Sequence, residues 1–379
     1  MQCWRSSHTL FRTRSPHQGP SPRGNAATSE TSLFGENAPP SHDSACSVAD
    51  QCSTGKFQCQ DHRESYFMAH PRKFRFGIQC NNALPAMTWT ETVQRAETLG
   101  YSTVFLPDHF GDQLAPLPAM MAAASATTAL NVGALVFDND YKHPVVLAKE
   151  LATIDLLSEG RVEFGLGSGW MRSDYEQSGI PYEEPKVRVE RFFEAVEIIR
   201  GLWGPDPVDF SGEHYQISDL NGFPKPHRPG GPKLLIGGGA PRMLRFAGKH
   251  ADIVGINPSI HSGSIDADAA RDAGLDRFEQ KLQWVREGAG DRFEDLELNV
   301  LVFLASCSED TSALAEMAGA MFATTPELAR RTPTCVIGTE DQICEELNDR
   351  RDKWGLSYYV FQSDAMETMA PIVARLSGS

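Results

Sequence analysis

The chain has 379 residues, 41% of them hydrophobic, with a formal charge of −15 at pH 7, enough material for one large core or two smaller ones. That acidic balance, with no basic cluster to offset it, argues against nucleic acid and anionic membrane surfaces as partners, because both need a basic footprint. The longest apolar runs, Val132 to Phe137 and Val300 to Ala305, are strand-length and far short of a membrane span, so the expectation is a soluble, cytoplasmic protein acting on a small molecule.

Residues 1–70 are rich in Ser, His, Pro, Gln and Gly and carry no helix or strand periodicity. They are expected to form a disordered extension ahead of a folded domain at 71–379. Arg5, Arg12, Arg14 and Arg23, with no acid among them, resemble a transit peptide. Met68, directly before the first strand, equally reads as a working start. Cys46, Cys52 and Cys59 match no metal-ligand spacing, and no metal site is expected.

From Phe74 the pattern alternates. A strand at 74–79, an amphipathic helix at 89–99 ending at Gly100, a strand at 101–106, a small-residue helix at 118–128, a strand at 132–137, a helix at 144–157 and a strand at 162–166 form successive βα units. After a long helix at 187–203, the Pro- and Gly-rich stretch 204–232 reads as an excursion with a short hairpin. Strands at 233–236, 253–256, 296–304 and 358–362 then interleave with helices at 243–250, 277–287, 312–318 and 342–353. Eight strands separated by helices predict an α/β fold, a (β/α)8 TIM barrel with an insertion after the fourth helix.

Three features carry chemistry. The second strand ends on Asp108 and His109, which places a carboxylate and an imidazole at its carboxyl end, where parallel α/β folds work. A lone pair of this kind also serves as a helix cap and a solvated loop residue. Gly165, Gly167 and Gly169 follow the fourth strand as GxGxG, which lacks the helix start and downstream acid of a dinucleotide fingerprint and instead lets a flat ring approach the backbone. Gly237, Gly238 and Gly239 end a strand just before a helix, where bare amides make an anion site.

The DHF after the second strand, the run from His143 to Arg161, the GLGSGW after the fourth strand and the passage from FSGEHY to LLIGGG together resemble the bacterial-luciferase-like monooxygenase superfamily, in its deazaflavin-dependent branch. The resemblance covers about 74–378. It implies coenzyme F420, an 8-hydroxy-5-deazaflavin, held at the carboxyl ends of the strands, and a homodimer. Asp108 and His109 match the pair beside the deazaflavin ring. Leu135 and Val136 match a strand-three bulge, often a non-proline cis peptide. Gly167, Ser168 and Gly169 match the loop beside the cofactor, and Gly238 and Gly239 the phosphate loop. Trp170 stands where sugar-phosphate dehydrogenases of the family have Glu, which puts an apolar wall in place of a proton donor.

A deazaflavin passes hydride at its central ring carbon, so the protein has one proton to manage. An imidazole does this at neutral pH, and His109 is the candidate, with Phe110, Phe137 and Trp170 as the expected substrate pocket. Two alternatives share the fold: an FMN-dependent monooxygenase fed by a separate reductase, and a flavin-binding barrel without catalysis.

Overall fold

The computed structural model describes residues 72–379; the disorder, transit-peptide and Met68 expectations lie outside the described residues. The chain runs through β1 (Arg75–Gln79), α1 (Trp89–Thr98), β2 (Thr103–Leu106), α2 (Pro116–Ala126), β3 (Asn131–Asp138), α3 (Pro144–Leu157), β4 (Val162–Gly167), α4 (Arg172–Ser178) and α5 (Pro185–Trp203). The hairpin β5 (Val208–Ser211) and β6 (Gln216–Leu220) precedes β7 (Lys233–Gly238), α6 (Pro241–His250), β8 (Ile253–Ile256), α7 (Ala267–Asp272), α8 (Leu275–Ala289) and β9 (Glu297–Leu301). A second excursion holds β10 (Leu304–Cys307), α9 (Ser312–Met321), α10 (Pro326–Arg330) and β11 (Cys335–Gly338), after which come α11 (Glu340–Trp354), β12 (Leu356–Gln362) and α12 (Ala370–Leu376).

Eight of these strands close a barrel in the order β1-β2-β3-β4-β7-β8-β9-β12, every pair parallel. The expected TIM barrel is therefore present, with the hairpin insertion where the composition had placed it. Strand alternation sorts the side chains. Phe105, Leu135, Leu235, Ile253, Tyr358 and Val360 form the inner cluster, while their neighbours Leu106, Leu234, Val254 and Tyr359 join the larger core beneath the helices. Glycines make room for the inner rings: a Cβ at Gly133 would lie 2.8 Å from Phe105, and one at Gly77 3.3 Å from the Tyr358 hydroxyl.

Two differences from the sequence reading have plain causes. The expected strand at 296–304 is two strands, because Val302 still donates to Val360 (2.8 Å) but Phe303 donates to Thr334 (2.8 Å), which turns the chain out of the barrel to pair β10 with β11. An unbroken apolar run does not show where its hydrogen-bond partner changes. The polar stretch after Gly169 forms the short α4, ended by Gly179 in the left-handed region (φ 78°). The hairpin is tied to α5 by Glu194, whose carboxylate accepts the amides of Glu213, His214 and Tyr215 at 2.7, 3.0 and 3.1 Å.

The amino-end mouth of the barrel is closed by a buried ion pair. Arg75 donates to both oxygens of Glu163 (2.9 and 3.0 Å), and Thr103 and Tyr358 donate to the same carboxylate at 2.9 and 3.2 Å. Arg75 also pairs with Glu297 at 2.9 Å and lies 4.1 Å over the Tyr358 ring. Removing one partner of such a pair leaves a buried charge uncompensated. Arg75→Met is expected to destabilise the fold by about 3 kcal/mol, measured as the change in denaturant midpoint at constant slope.

Candidate active site at the carboxyl ends of the strands

β2 runs through Pro107 into Asp108, His109 and Phe110. Asp108 turns toward β3 and accepts the Asp138 amide at 3.1 Å. Burial pushes its carboxyl up to about 6 against that bond. His109 turns toward α4, where its Nδ1 lies 2.7 Å from Asp174 Oδ2, and Tyr141 donates to the same oxygen at 3.0 Å. A carboxylate only accepts, so Nδ1 carries the hydrogen and Nε2 is left as the nitrogen with a lone pair. The Trp170 ring meets the imidazole edge-on, 5.5 Å between centroids at 87°. Phe110, 53% exposed, packs on Tyr141 at 4.6 Å. His109 and Trp170 are thus in contact, Phe110 reaches the same Asp174 through Tyr141, and Asp108 adjoins His109 in sequence.

Phe137 is not with them. It is 1% exposed and packs on Phe164 in the outer core, so its assignment to the substrate pocket is corrected. The reason lies at the bulge. The register of β3 against β4 shifts between Ala134 and Phe137, and the Leu135–Val136 peptide is cis. Leu135 and Val136 both join the inner cluster, which returns Phe137 to the outer face.

Gln79 donates to the Leu135 carbonyl at 2.9 Å, and Gln362 orients Gln79 at 3.1 Å. Val136 sits among glycines: a Cβ at Gly165 would lie 3.1 Å from it, one at Gly167 2.7 Å and one at Gly237 3.6 Å. These glycines therefore serve the packing of the strand ends first. Gly169 (φ 76°) has its Cβ space filled by the Tyr175 hydroxyl and by Asp138 Oδ2, 2.6 Å away. Gly239 is buried against the backbone of 257–259, which a Cβ would meet at 2.5 Å. Gly238 ends β7 just before α6, and the α6 cap, Ala240, offers no side chain to the first-turn amides. Ser168 is half-buried beside Trp170.

Several residues escaped sequence reasoning. Tyr175 is fully buried and its hydroxyl lies 3.0 Å from Asp138 Oδ2 and 2.9 Å from Asp140 Oδ2. Burial pushes the Asp138 carboxyl up to about 7 and also raises Asp140, which Arg191 opposes through a 2.9 Å pair. Arg188, from α5, donates to the Gly169 carbonyl at 2.6 Å. Asp174 and Tyr175 lie 65 and 66 residues beyond His109 in sequence, inside a weakly helical polar stretch. The glycine at 169, which takes a positive φ of 76° in the structure, is a local sign of the turn back into α4.

Other groups lie apart from this chemistry. Glu190, Glu213 and His214 bring ligand atoms within 4.8 Å of one another, but Glu190 is paired with Arg242 at 3.1 Å. A cavity of about 470 Å³ lies within the second excursion and the start of α11, where Arg330 and Arg350 donate to backbone carbonyls.

The sequence matches the luciferase-like monooxygenase family over residues 76–332, more than half of the chain. The chain belongs to that family. Within it, the chain is 34% identical over 170 residues to the F420-dependent glucose-6-phosphate dehydrogenase of Amycolatopsis mediterranei, covering 43% of this chain and 50% of that protein. Identity to the enzyme of the same name from Kribbella flavida is 31% over 238 residues, 60% of this chain and 66% of that protein. The chain thus spans between half and two thirds of the length of these curated relatives. Among solved structures, the coenzyme F420-dependent tetrahydromethanopterin reductase of Methanopyrus kandleri superposes with a TM-score of 0.64 at 16% identity, covering 81% of this chain and all of that one. This last likeness shows a shared barrel fold.

The Asp174 contact makes a spectroscopic prediction. The neutral His109 ring is expected to be the Nδ1–H form, read from its ¹⁵N shifts, and Asp174→Ala is expected to give a mixture of both tautomers.

Proposed function

We propose that this luciferase-like chain is a coenzyme F420-dependent oxidoreductase that exchanges hydride between the deazaflavin and a small uncharged alcohol or carbonyl compound. The observation that carries the reading is the single imidazole, His109, fixed by Asp174 with its Nε2 free and walled by Trp170. The 31–34% identity to F420-dependent dehydrogenases over partial lengths supports the cofactor.

The residues fit such a group. Leu135 and Val136 offer a bulged, glycine-flanked face for a flat ring, with Asp108, Gly167, Ser168 and Gly169 along its edge. Gly238, Gly239 and the uncapped first turn of α6 offer amides for its phosphate. When bound, a deazaflavin supplies two electrons as hydride and reacts poorly with oxygen.

His109 Nε2 then gives or takes the hydroxyl proton of the substrate, while Trp170 and Phe110 keep water out. Trp170, an apolar wall where the sugar-phosphate dehydrogenases of the family carry a Glu, favours an uncharged substrate over a phosphorylated one. We also propose a homodimer, for which the exposed Val146, Leu156 and Leu157 of α3 provide an apolar surface. The four free thiols among the described residues, Cys80, Cys307, Cys335 and Cys344, suit the reducing cytoplasm. No described helix is long and apolar enough to cross a membrane.

Fluorescence titration is expected to show coenzyme F420 binding at least about tenfold tighter than FMN, a difference of about 1.4 kcal/mol. His109→Ala is expected to bind the deazaflavin within about threefold of wild type yet lose on the order of 10²-fold in its reduction by 2-propanol and related secondary alcohols. Tighter binding of FMN, with oxygenation by reduced FMN and oxygen, would replace this reading with the monooxygenase one.

A further inference from the structure

We propose that Asp138 acts as a protonated acid that pins α4 to the end of β3, and through α4 holds Asp174 on His109. The Tyr175 hydroxyl lies 3.2 and 3.0 Å from the two Asp138 oxygens and 2.9 Å from Asp140 Oδ2. A phenol carries one hydrogen, and carboxylates only accept. With both aspartates ionised, one of these short contacts would hold no hydrogen, deep in a site where Tyr175 is fully buried.

The neighbours decide which aspartate holds the proton. Asp140 has a cation of its own, since Arg191 donates from α5 to its Oδ1 at 2.9 Å, with Arg188 nearby. Among the described residues Asp138 pairs with no cation: its Oδ1 accepts the Asp140 amide, at 2.9 Å, and the hydroxyl. Asp108 faces it from the end of β2, Asp140 from its own loop and Tyr175 from α4, while Lys142, His109 and Asp174 lie around Asp108. The hydrogen therefore sits on Asp138 Oδ2 and points to Tyr175, whose own hydrogen points to Asp140. The burial that raises Asp138 to about 7 agrees with this placement. So does Gly169, which lacks a side chain where Tyr175 and Asp138 meet.

Tyr175 adjoins Asp174 in α4, and Asp174 holds His109 Nδ1 at 2.7 Å. Loss of the Asp138 proton sets a third carboxylate between Asp108 and Asp140 and leaves Tyr175 able to serve only one of them. α4 is then released, and the contact that orients the imidazole goes with it. The inference rests on the proposed function only for what His109 does, and the test needs no cofactor or substrate.

A group whose folded value is raised contributes stability below its ordinary range near pH 4 and loses it as pH rises through about 7. In the full chain, wild type is expected to lose about 3 °C more in melting temperature between pH 6 and pH 8 than Asp138→Asn, whose amide donates to Tyr175 at any pH. The ¹⁵N signature of a fixed His109 is expected to blur above about pH 7 in wild type, to persist to pH 8 in Asp138→Asn, and to be lost at pH 6 in Tyr175→Phe. The proposal is overturned if Asp138→Asn keeps the wild-type pH dependence, or if Tyr175→Phe leaves the His109 signature intact.

Discussion

A carboxylate taken out of water must be matched, and the two ends of this barrel match theirs by different means. At the amino end Glu163 is met by a cation, Arg75, and by two hydroxyls. At the carboxyl end four aspartates gather around one imidazole, and cations are few. Arg191 answers Asp140, a histidine answers Asp174, and burial leaves Asp138 and Asp108 holding protons far more tightly than free aspartate does. The amino end is held by an ion pair, while the carboxyl end holds aspartates raised by burial. That division is the one described for TIM barrels, where the amino face reads as stability and the carboxyl face as chemistry.

The architecture was legible in the sequence because it depends on local pattern. Strand and helix periods, the glycine at each turn and the Pro-rich excursion at 204–232 are all short-range signals, and the eight barrel strands appear where those signals placed them. Asp108 and His109 were legible for a related reason: a strand that ends on ionisable residues declares the mouth. The partner of His109 was not, because Asp174 reaches it across 65 residues from a helix of one or two turns. Phe137 was misplaced because an aromatic at the end of a strand was taken to line the mouth, whereas the bulge shifts the register and turns it outward. The break between β9 and β10 was missed because hydrophobicity reports burial and not the identity of the partner strand.

Trp170 and His109 give the site its chemical character. An edge-on indole restricts the imidazole without offering it a proton acceptor. The Gly169 that precedes Trp170 is fixed by Tyr175 and Asp138 on one side and by Arg188 on its carbonyl. The wall is thereby set by the same residues that place α4. Trp170 and His109 are parts of one packed unit, and a change to either is felt by the other.

The barrel interior has a bearing on how such a protein can drift. Side chains at Gly133 and Gly165 would run into the backbone of the adjoining strand, at Glu163 and Ala134 respectively, and one at Gly77 would press on Phe105 and Val360. Mutation at these points is closed in both directions, since the rings cannot shrink without leaving a void and the glycines cannot grow. Lineages descending from this sequence are left to vary where the strands end, in the loop after β2, in α4 and in the two excursions. New substrates would then be acquired at the rim while the inner lining stays as it is.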